Sequence, residues 1–533
     1  MTATVREATF DVLRACGMVD IFANPGSTEV PFLVDLPPDL RFVLALHEAS
    51  VVGMATGHAL ATGQPAFVLL HSTPGLGNAV NALATARVNR APLVVVTGQQ
   101  DRRHLALEPF LAGRLDGLAG SYPVWTSQPV IAQDVPAAIR RAWHEASYRH
   151  GPALVVVPMN DWPALTDEGL GLASPVAVRR PPAADVASAA EIAGLLDDAR
   201  SPALVVGSEA DDPDTWQALT TLVERLGCPV WQEAFGARAG FPQDHPAFAG
   251  HLPAGRAGLR ATLDPHDVVL VVGGSAFRQY PFEPGPLVRP GTTVMVVSDD
   301  ADTVHHSRAE LGVVADPAGT CLLLTELVAK RESRFVAPVT ELPGPGETLR
   351  ATDVFTALAG RLPADVVLVE ETPSSRPDLH RLMPARAPRG FVSAAQGGLG
   401  FALPAAAGLR MGDPTRPVVA VVGDGSSLYG IHALWSAVRY DCGVLFVVLS
   451  NGGYAVMDQL AAAAGGKPPW PGFEDIDLTG LATSFGCPAV RIEDHDSLIQ
   501  TLDEVVPSLA QRRQPLLLDV RVSPDDNSAG RPS

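Results

Sequence analysis

VVGDGSS at residues 421–427 and VVLSNGGY at 447–454 share one build, a Val/Leu run that closes on a glycine-rich polar tip. Short β-branched runs bounded by Gly, Asp and Asn read as buried strands ending in loops. Asn451 follows Asp424 by 27 residues, room for one helical crossover, so the two tips can stand side by side on one edge of a parallel sheet. There the Asp424 carboxylate, the Asn451 amide oxygen and a nearby backbone carbonyl make a hard oxygen donor set suited to Mg2+ or Ca2+. Gly425, Gly452 and Gly453 let backbone approach closely. The helix expected after Ser426 adds free amides and a positive dipole end for an anion. Either tip alone would pass for an ordinary turn; the pair at crossover spacing carries the reading.

The same build recurs along the chain. Strands are expected at 42–46, 66–70 and 93–97, with helices from near Glu48 and Gly75, and again at 366–369, 418–422 and 444–449, with a helix over 430–440. Ligands of open parallel sheets sit at the carboxyl ends of strands, and those ends read NPGS (24–27), HE (47–48), HSTPG (71–75) and EETPSS (370–375). A middle block alternates likewise (202–207, 266–274, 293–298), but its strand ends carry few ionisable groups and suggest a scaffold. Pro/Gly- and charge-rich stretches at 164–185 and 329–350 read as linkers. The expected fold is therefore α/β, with three doubly wound parallel-sheet domains over 1–165, 186–328 and 350–525.

Composition narrows the function. The 533 residues carry 39 Lys+Arg against 58 Asp+Glu, and the net charge of −19 repels nucleic acid and anionic membrane alike. Only Lys330 and Lys467 are lysines, and no phosphate-binding GxxxxGK[ST] loop occurs. GLGNAV and GLGFAL lack the last glycine of a dinucleotide fingerprint, which argues against a nicotinamide oxidoreductase. Five scattered cysteines without CxxC spacing suggest neither disulfides nor zinc. With no apolar leader or long apolar span in the sequence, a soluble cytoplasmic protein is expected.

The paired GDG and NGG tips, together with ANPGSTEVPFL, LALHEASVVGMATG, HSTPGLGNAVNAL, APLVVVTGQQ, AAQGGLGFALPAA and GDGSSLYGIHALWSAV, resemble thiamine diphosphate-dependent enzymes of the benzoylformate decarboxylase group nearly end to end. The resemblance implies a pyrimidine-binding first domain, a central scaffold and a diphosphate-binding third domain. It puts Mg2+ on Asp424, Asn451 and the Gly453 carbonyl, with Ser374, Gly423, Ser426, Ser427 and Tyr454 near the diphosphate. Glu48 falls on the glutamate that bonds the aminopyrimidine ring. Flanked by Val51, Val52 and Met54, its carboxyl is expected to be desolvated. Leu399 matches the apolar wedge under the cofactor and the Gly397 carbonyl the partner of its amino group; Asn24, Pro25, Gly26 and Asn78 complete the cofactor contacts. Ser27 and His71 match the serine and histidine that orient the substrate carboxylate and move protons at the keto oxygen.

The implied activity is non-oxidative decarboxylation of a 2-oxo acid, most simply an aromatic one, by a homodimer or homotetramer with active sites between subunits. Two departures stand out. The segment VVGGSAFRQYPFEPG has no histidine where the group places a second one, and Tyr280 stands nearest; Ser450 replaces an asparagine. The substrate pocket is expected from Phe110, Leu111, Pro373, Ser393, Val456, Met457 and Leu460, although the Met and Leu positions would equally suit helix core. The missing histidine leaves a carboligase forming 2-hydroxyketones as one alternative, and the Tyr280 and Ser450 departures together leave a non-catalytic cofactor-binding homologue as another.

Overall fold

A computed structural model describes residues 3–166, 176, 178, 181–338, 344 and 346–523. Much of the linker expected at 164–185, and residues 339–343 and 345 of the one expected at 329–350, lie outside the described residues. Three six-stranded sheets organise the rest. In the first, β1 (Asp20–Asn24), β2 (Arg41–Leu44), β3 (Ala66–Leu70), β4 (Leu93–Gln99), β5 (Trp125–Ser127) and β6 (Pro152–Pro158) lie in the order β2-β1-β3-β4-β6-β5. In the second, β7 (Pro202–Val206), β8 (Val230–Gln232), β9 (Phe248–His251), β10 (Val268–Val272), β11 (Thr293–Ser298) and β12 (Leu311–Val314) follow β9-β8-β7-β10-β11-β12. The third holds β13 (Val367–Glu371), β14 (Phe391–Ser393), β15 (Val418–Gly423), β16 (Leu445–Ser450), β17 (Ala489–Ile492) and β18 (Leu516–Arg521) as β14-β13-β15-β16-β18-β17. Every pairing within them is parallel. The outer two sheets thus share one winding and the middle one differs.

Parallel strands covered by helices on both faces need continuous apolar runs, and all seven residues of β4 and of β6 are buried. Five helices position the chemistry: α1 (Glu48–Thr62), α2 (Ser72–Val88), α3 (Ala402–Gly412), α4 (Asp424–Gly430) and α5 (Ala455–Ala463). α2 begins three residues before the expected Gly75, so that His71 itself caps it. The helix expected over 430–440 spans Ala433–Arg439.

The first and third domains share one core, in which Val52 and Met54 of α1 cluster with Leu403 and Leu409 of α3. Glycine sets their approach. A Cβ on Gly57 would fall 2.0 Å from the Ala405 carbonyl oxygen, and one on Gly408 1.9 Å from that of Met54. Gly408→Ala must push the helices apart, and overpacking of this kind costs about 1–3 kcal/mol. The thermal midpoint of the variant is expected to drop by several degrees. Gly194→Ala, where no atom lies within 4 Å of the added carbon, should leave it unchanged or slightly raised.

The carboxyl ends of the middle sheet carry more charge than the sequence suggested. Glu209, Asp299 and Asp300 surround Arg90 of the first domain, whose guanidinium lies 3.3 Å from Glu209 and 3.4 Å from Asp300. The preceding residue, Asn89, donates to the Ser393 carbonyl at 2.8 Å and accepts from Ala395 N–H at 3.3 Å. Two adjacent residues after α2 therefore tie the first domain to both others. That edge of the middle sheet carries an interdomain ion cluster.

Candidate active site

The first sheet gathers polar tips on one edge. Asn24, Pro25, Gly26 and Ser27 follow β1, and the exposed Ser27 hydroxyl has no hydrogen-bond partner among the described residues. Glu48 opens α1, capped by His47, whose Nδ1 accepts from Ala49 N–H at 3.1 Å. The Glu48 carboxylate accepts a hydrogen bond from Asn78 of α2 at 3.0 Å. The expected apolar sheath is missing from its own chain. Val51, Val52 and Met54 are fully buried in the core, whereas the first residue of the helix stands half-exposed at its end.

His71 lies at the tip of β3 with its Nδ1 3.0 Å from a carboxylate oxygen of Glu29 and 2.9 Å from the Thr28 hydroxyl. The hydrogen bond to Glu29 raises its pKa, burial opposes this, and the charges of Glu29 and Glu48 add to the rise. Glu29 is 1% exposed and went unread in the sequence because an acid opening a short helix looks ordinary.

On the third sheet the paired tips do meet. Asp424, 5% exposed, accepts from Gly425 N–H at 2.8 Å and from Gly452 N–H at 2.7 Å, which pins the second tip to the first. Burial raises its pKa against the opposing backbone hydrogen bonds. The Asn451 side-chain oxygen accepts from Gly453 N–H at 3.0 Å. The helix here starts at Asp424 rather than after Ser426, capped by Gly423. Ser427 is consequently engaged inside it, donating to the Asp424 carbonyl at 2.7 Å, while the Ser426 hydroxyl makes no such bond. Among the described residues no three His, Cys, Asp or Glu side chains cluster as a metal site, so any cation here relies on Asp424 with amide and carbonyl oxygens.

Tyr454 precedes α5 and closes over Gly425, where a Cβ would fall 2.7 Å from its ring. Ser374 Oγ accepts from Val456 N–H at 3.2 Å. The GGLGF loop carries Gly397 and Gly400 at φ +78° and +89°, backbone that favours glycine, and leaves Leu399 half-exposed rather than in the core. Glu371 holds that loop, its carboxylate accepting from Gly400, Phe401 and Ala402 N–H at 2.7, 2.9 and 2.7 Å. Burial pushes Glu371 up to about 7.

The expected pocket positions divide. Phe110 is 88% exposed, Met457 43% and Leu460 47%, and α5 buries none of its residues, so its apolar side chains are not core. Pro373 is exposed, and Leu111 and Val456 are half-exposed. Ser393 does not line an open surface. It is 1% exposed and accepts from Arg376, which also pairs with the buried Glu370 at 2.7 Å. Tyr280 is 64% exposed on the middle domain, edge-on to Phe235. No hydrogen bond or ion pair among the described residues joins Ser27, Glu48 or His71 to Asp424, Asn451 or Ser374.

Three parallel α/β domains, with polar strand tips gathered on the outer two, define the class of fold. Family comparison agrees. The thiamine pyrophosphate enzyme N-terminal TPP binding domain matches residues 3–119, the central domain 189–327 and the C-terminal TPP binding domain 374–520, and the chain belongs to the thiamine pyrophosphate enzymes. Benzoylformate decarboxylase of Pseudomonas aeruginosa is 36% identical over 97% of this chain and 98% of that protein. The thiamine diphosphate-dependent 4-hydroxybenzoylformate decarboxylase of Rhodococcus jostii superposes with a TM-score of 0.93 at 33% identity, covering 98% of this chain and all (100%) of that one. Benzoylformate decarboxylase of Polynucleobacter necessarius does so with 0.92 at 31%, covering 98% and 99%.

Proposed function

We propose that this chain is a thiamine diphosphate- and Mg2+-dependent decarboxylase of 2-oxo acids that favours aryl substrates. One observation carries the reading: Ser27, Glu48 and His71 stand on one sheet edge and Asp424 with Asn451 on the other, the residue types that the two halves of such a cofactor require. Asp424 fits a cation, being a buried carboxylate whose charge its own backbone partners do not fully offset. Asn451, the Gly453 carbonyl and diphosphate oxygens would complete the coordination, with Ser374, Ser426 and Tyr454 beside the diphosphate.

When bound, the cofactor supplies a nucleophilic carbon and an electron sink. The protein's own groups do the rest. Glu48, steadied by Asn78, would exchange a proton with the aminopyrimidine ring, and Leu399 would support the cofactor's bend. The unpartnered Ser27 hydroxyl would bind the substrate carboxylate. His71, through Nε2, would move a proton at the keto oxygen. Phe110, Met457 and Leu460 offer uncovered apolar surface for an aryl group, and decarboxylases that the chain resembles are named for benzoylformate and its 4-hydroxy derivative.

Glu48 and α5 are left uncovered by their own chain, and a second copy is the natural cover, so we place each site between two subunits of a dimer or tetramer. Among the described residues no helix is long and apolar enough to cross a membrane, and five unpaired, buried cysteines suit the reducing cytoplasm.

CO2 release from benzoylformate, pyruvate and longer aliphatic 2-oxo acids, with saturating thiamine diphosphate and Mg2+, tests the reading. Strong release from the aryl acid and little from the others is expected. Weak release from all of them with cofactor bound would shift the assignment to carboligation, read directly as 2-hydroxyketone on adding an acceptor aldehyde.

A further inference from the structure

Glu29 is packed between the tips of β1 and β4, and the site has no room for it to move. Its Oε2 accepts from Gly26 N–H at 2.9 Å and faces His71 Nδ1 at 3.0 Å, while Oε1 accepts from the Thr28 hydroxyl at 2.5 Å. A Cβ on Gly98, in β4, would fall 1.8 Å from Glu29 Oε1, and one on Gly26 would fall 2.2 Å from the His71 ring. Both glycines are therefore required by the carboxylate–imidazole contact itself. Since the Thr28 hydroxyl spends its hydrogen on Oε1, the Nδ1 position sees only acceptors and must carry a hydrogen. Nε2 then keeps the lone pair of the neutral ring, and it has no hydrogen-bond partner among the described residues.

We infer that Glu29 is a positioning residue: it fixes His71 as the Nδ1–H tautomer and leaves Nε2 as the nitrogen that meets the substrate. A carboxylate behind an imidazole sets its tautomer and orientation and stabilises its charged form, whatever the fold around it. This rests on the decarboxylase reading, in which Nε2 carries a proton to and from the substrate's keto oxygen. The charges acting on the ring among the described residues are Glu29, from the β1 tip, and Glu48, from α1; Thr28 and Gly26 face it without charge. Removing the Glu29 charge therefore lowers the His71 pKa, and the sign does not depend on which protonation state is active.

The experiment compares wild type, Glu29→Gln and Glu29→Asp. Two readouts are taken: kcat/KM against pH, and the pH dependence of diethylpyrocarbonate modification at the His71 peptide, quantified by mass spectrometry. Glu29→Gln is expected to lower kcat on the order of 100-fold and to move both the His71 limb of the pH profile and the half-modification pH downward. Glu29→Asp should recover part of each shift. In a His71→Ala background, Glu29→Gln should add no further loss. An unchanged modification pH in Glu29→Gln, or a loss that simply adds to that of His71→Ala, overturns the proposal. Should Glu29→Gln fail to fold, Glu29→Asp carries the same two readouts. The modification profile needs no turnover, so a wild type inactive on every 2-oxo acid would sink the functional reading while still deciding the role of Glu29.

Discussion

Glu48→Gln is expected to leave the protein folded and cofactor-loaded while decarboxylation falls by about two to four orders of magnitude, the usual worth of a positioned acid–base group. The geometry makes this substitution unusually clean. Glu48 opens α1, where among the described residues its carboxylate accepts one hydrogen bond, from Asn78, and carries no ion pair. A glutamine oxygen accepts the same bond, so neither the helix start nor the Asn78 contact is disturbed. What the proposed role loses is the capacity to exchange a proton with the aminopyrimidine ring. Measured together, cofactor affinity should stay within a fewfold of wild type and single-turnover CO2 release should collapse. Wild-type release from the loaded variant would remove Glu48 from the chemistry and with it the assignment of the first sheet edge.

The sheets and their polar tips were readable because both faces of the inner parallel strands are buried, so Val/Leu runs such as those of β4, β15 and β16 mark strands directly. Their polar ends had to fall on one edge, and Asp424 and Asn451 meet there as their spacing implied. Contacts made over long sequence distance were not readable. Ser393 looked like a pocket residue until Arg376, seventeen positions earlier, reached its hydroxyl. The charges at the ends of the middle sheet looked sparse until Arg90 arrived from another domain. Glu29 is the reverse case, lying two residues from a serine that the motif singled out; its partner His71 lies 42 residues on, across two strands. The environment of Glu48 failed to follow from its neighbours for another reason. Val51, Val52 and Met54 turn inward around the helix, and the surface that would cover the carboxylate belongs to no described part of the same chain.

Asp424→Asn should abolish the thermal stabilisation that Mg2+ and thiamine diphosphate give, while barely moving the midpoint of the cofactor-free protein. Two opposed terms explain the second half. The wild-type carboxylate is held by Gly425 and Gly452 N–H but is pushed toward its neutral form by burial, so removing its charge relieves a cost of desolvation. The asparagine amide would in turn set a donor against one of those N–H groups and forfeit a hydrogen bond, about 1 kcal/mol. With the cation present there is no such cancellation. A unit charge pair at about 4 Å is worth roughly 4 kcal/mol at an effective dielectric constant of 20, close to a thousandfold in affinity, and the divalent ion loses at least that. Stabilisation by a ligand scales with the logarithm of its concentration over its dissociation constant, so a wild-type shift measured at modest Mg2+ should vanish in the variant and return only at concentrations about a thousandfold higher. A variant that keeps the full shift would place the cation elsewhere, and a variant that collapses without ligand would make Asp424 a tie between the two tips rather than the anchor of a metal.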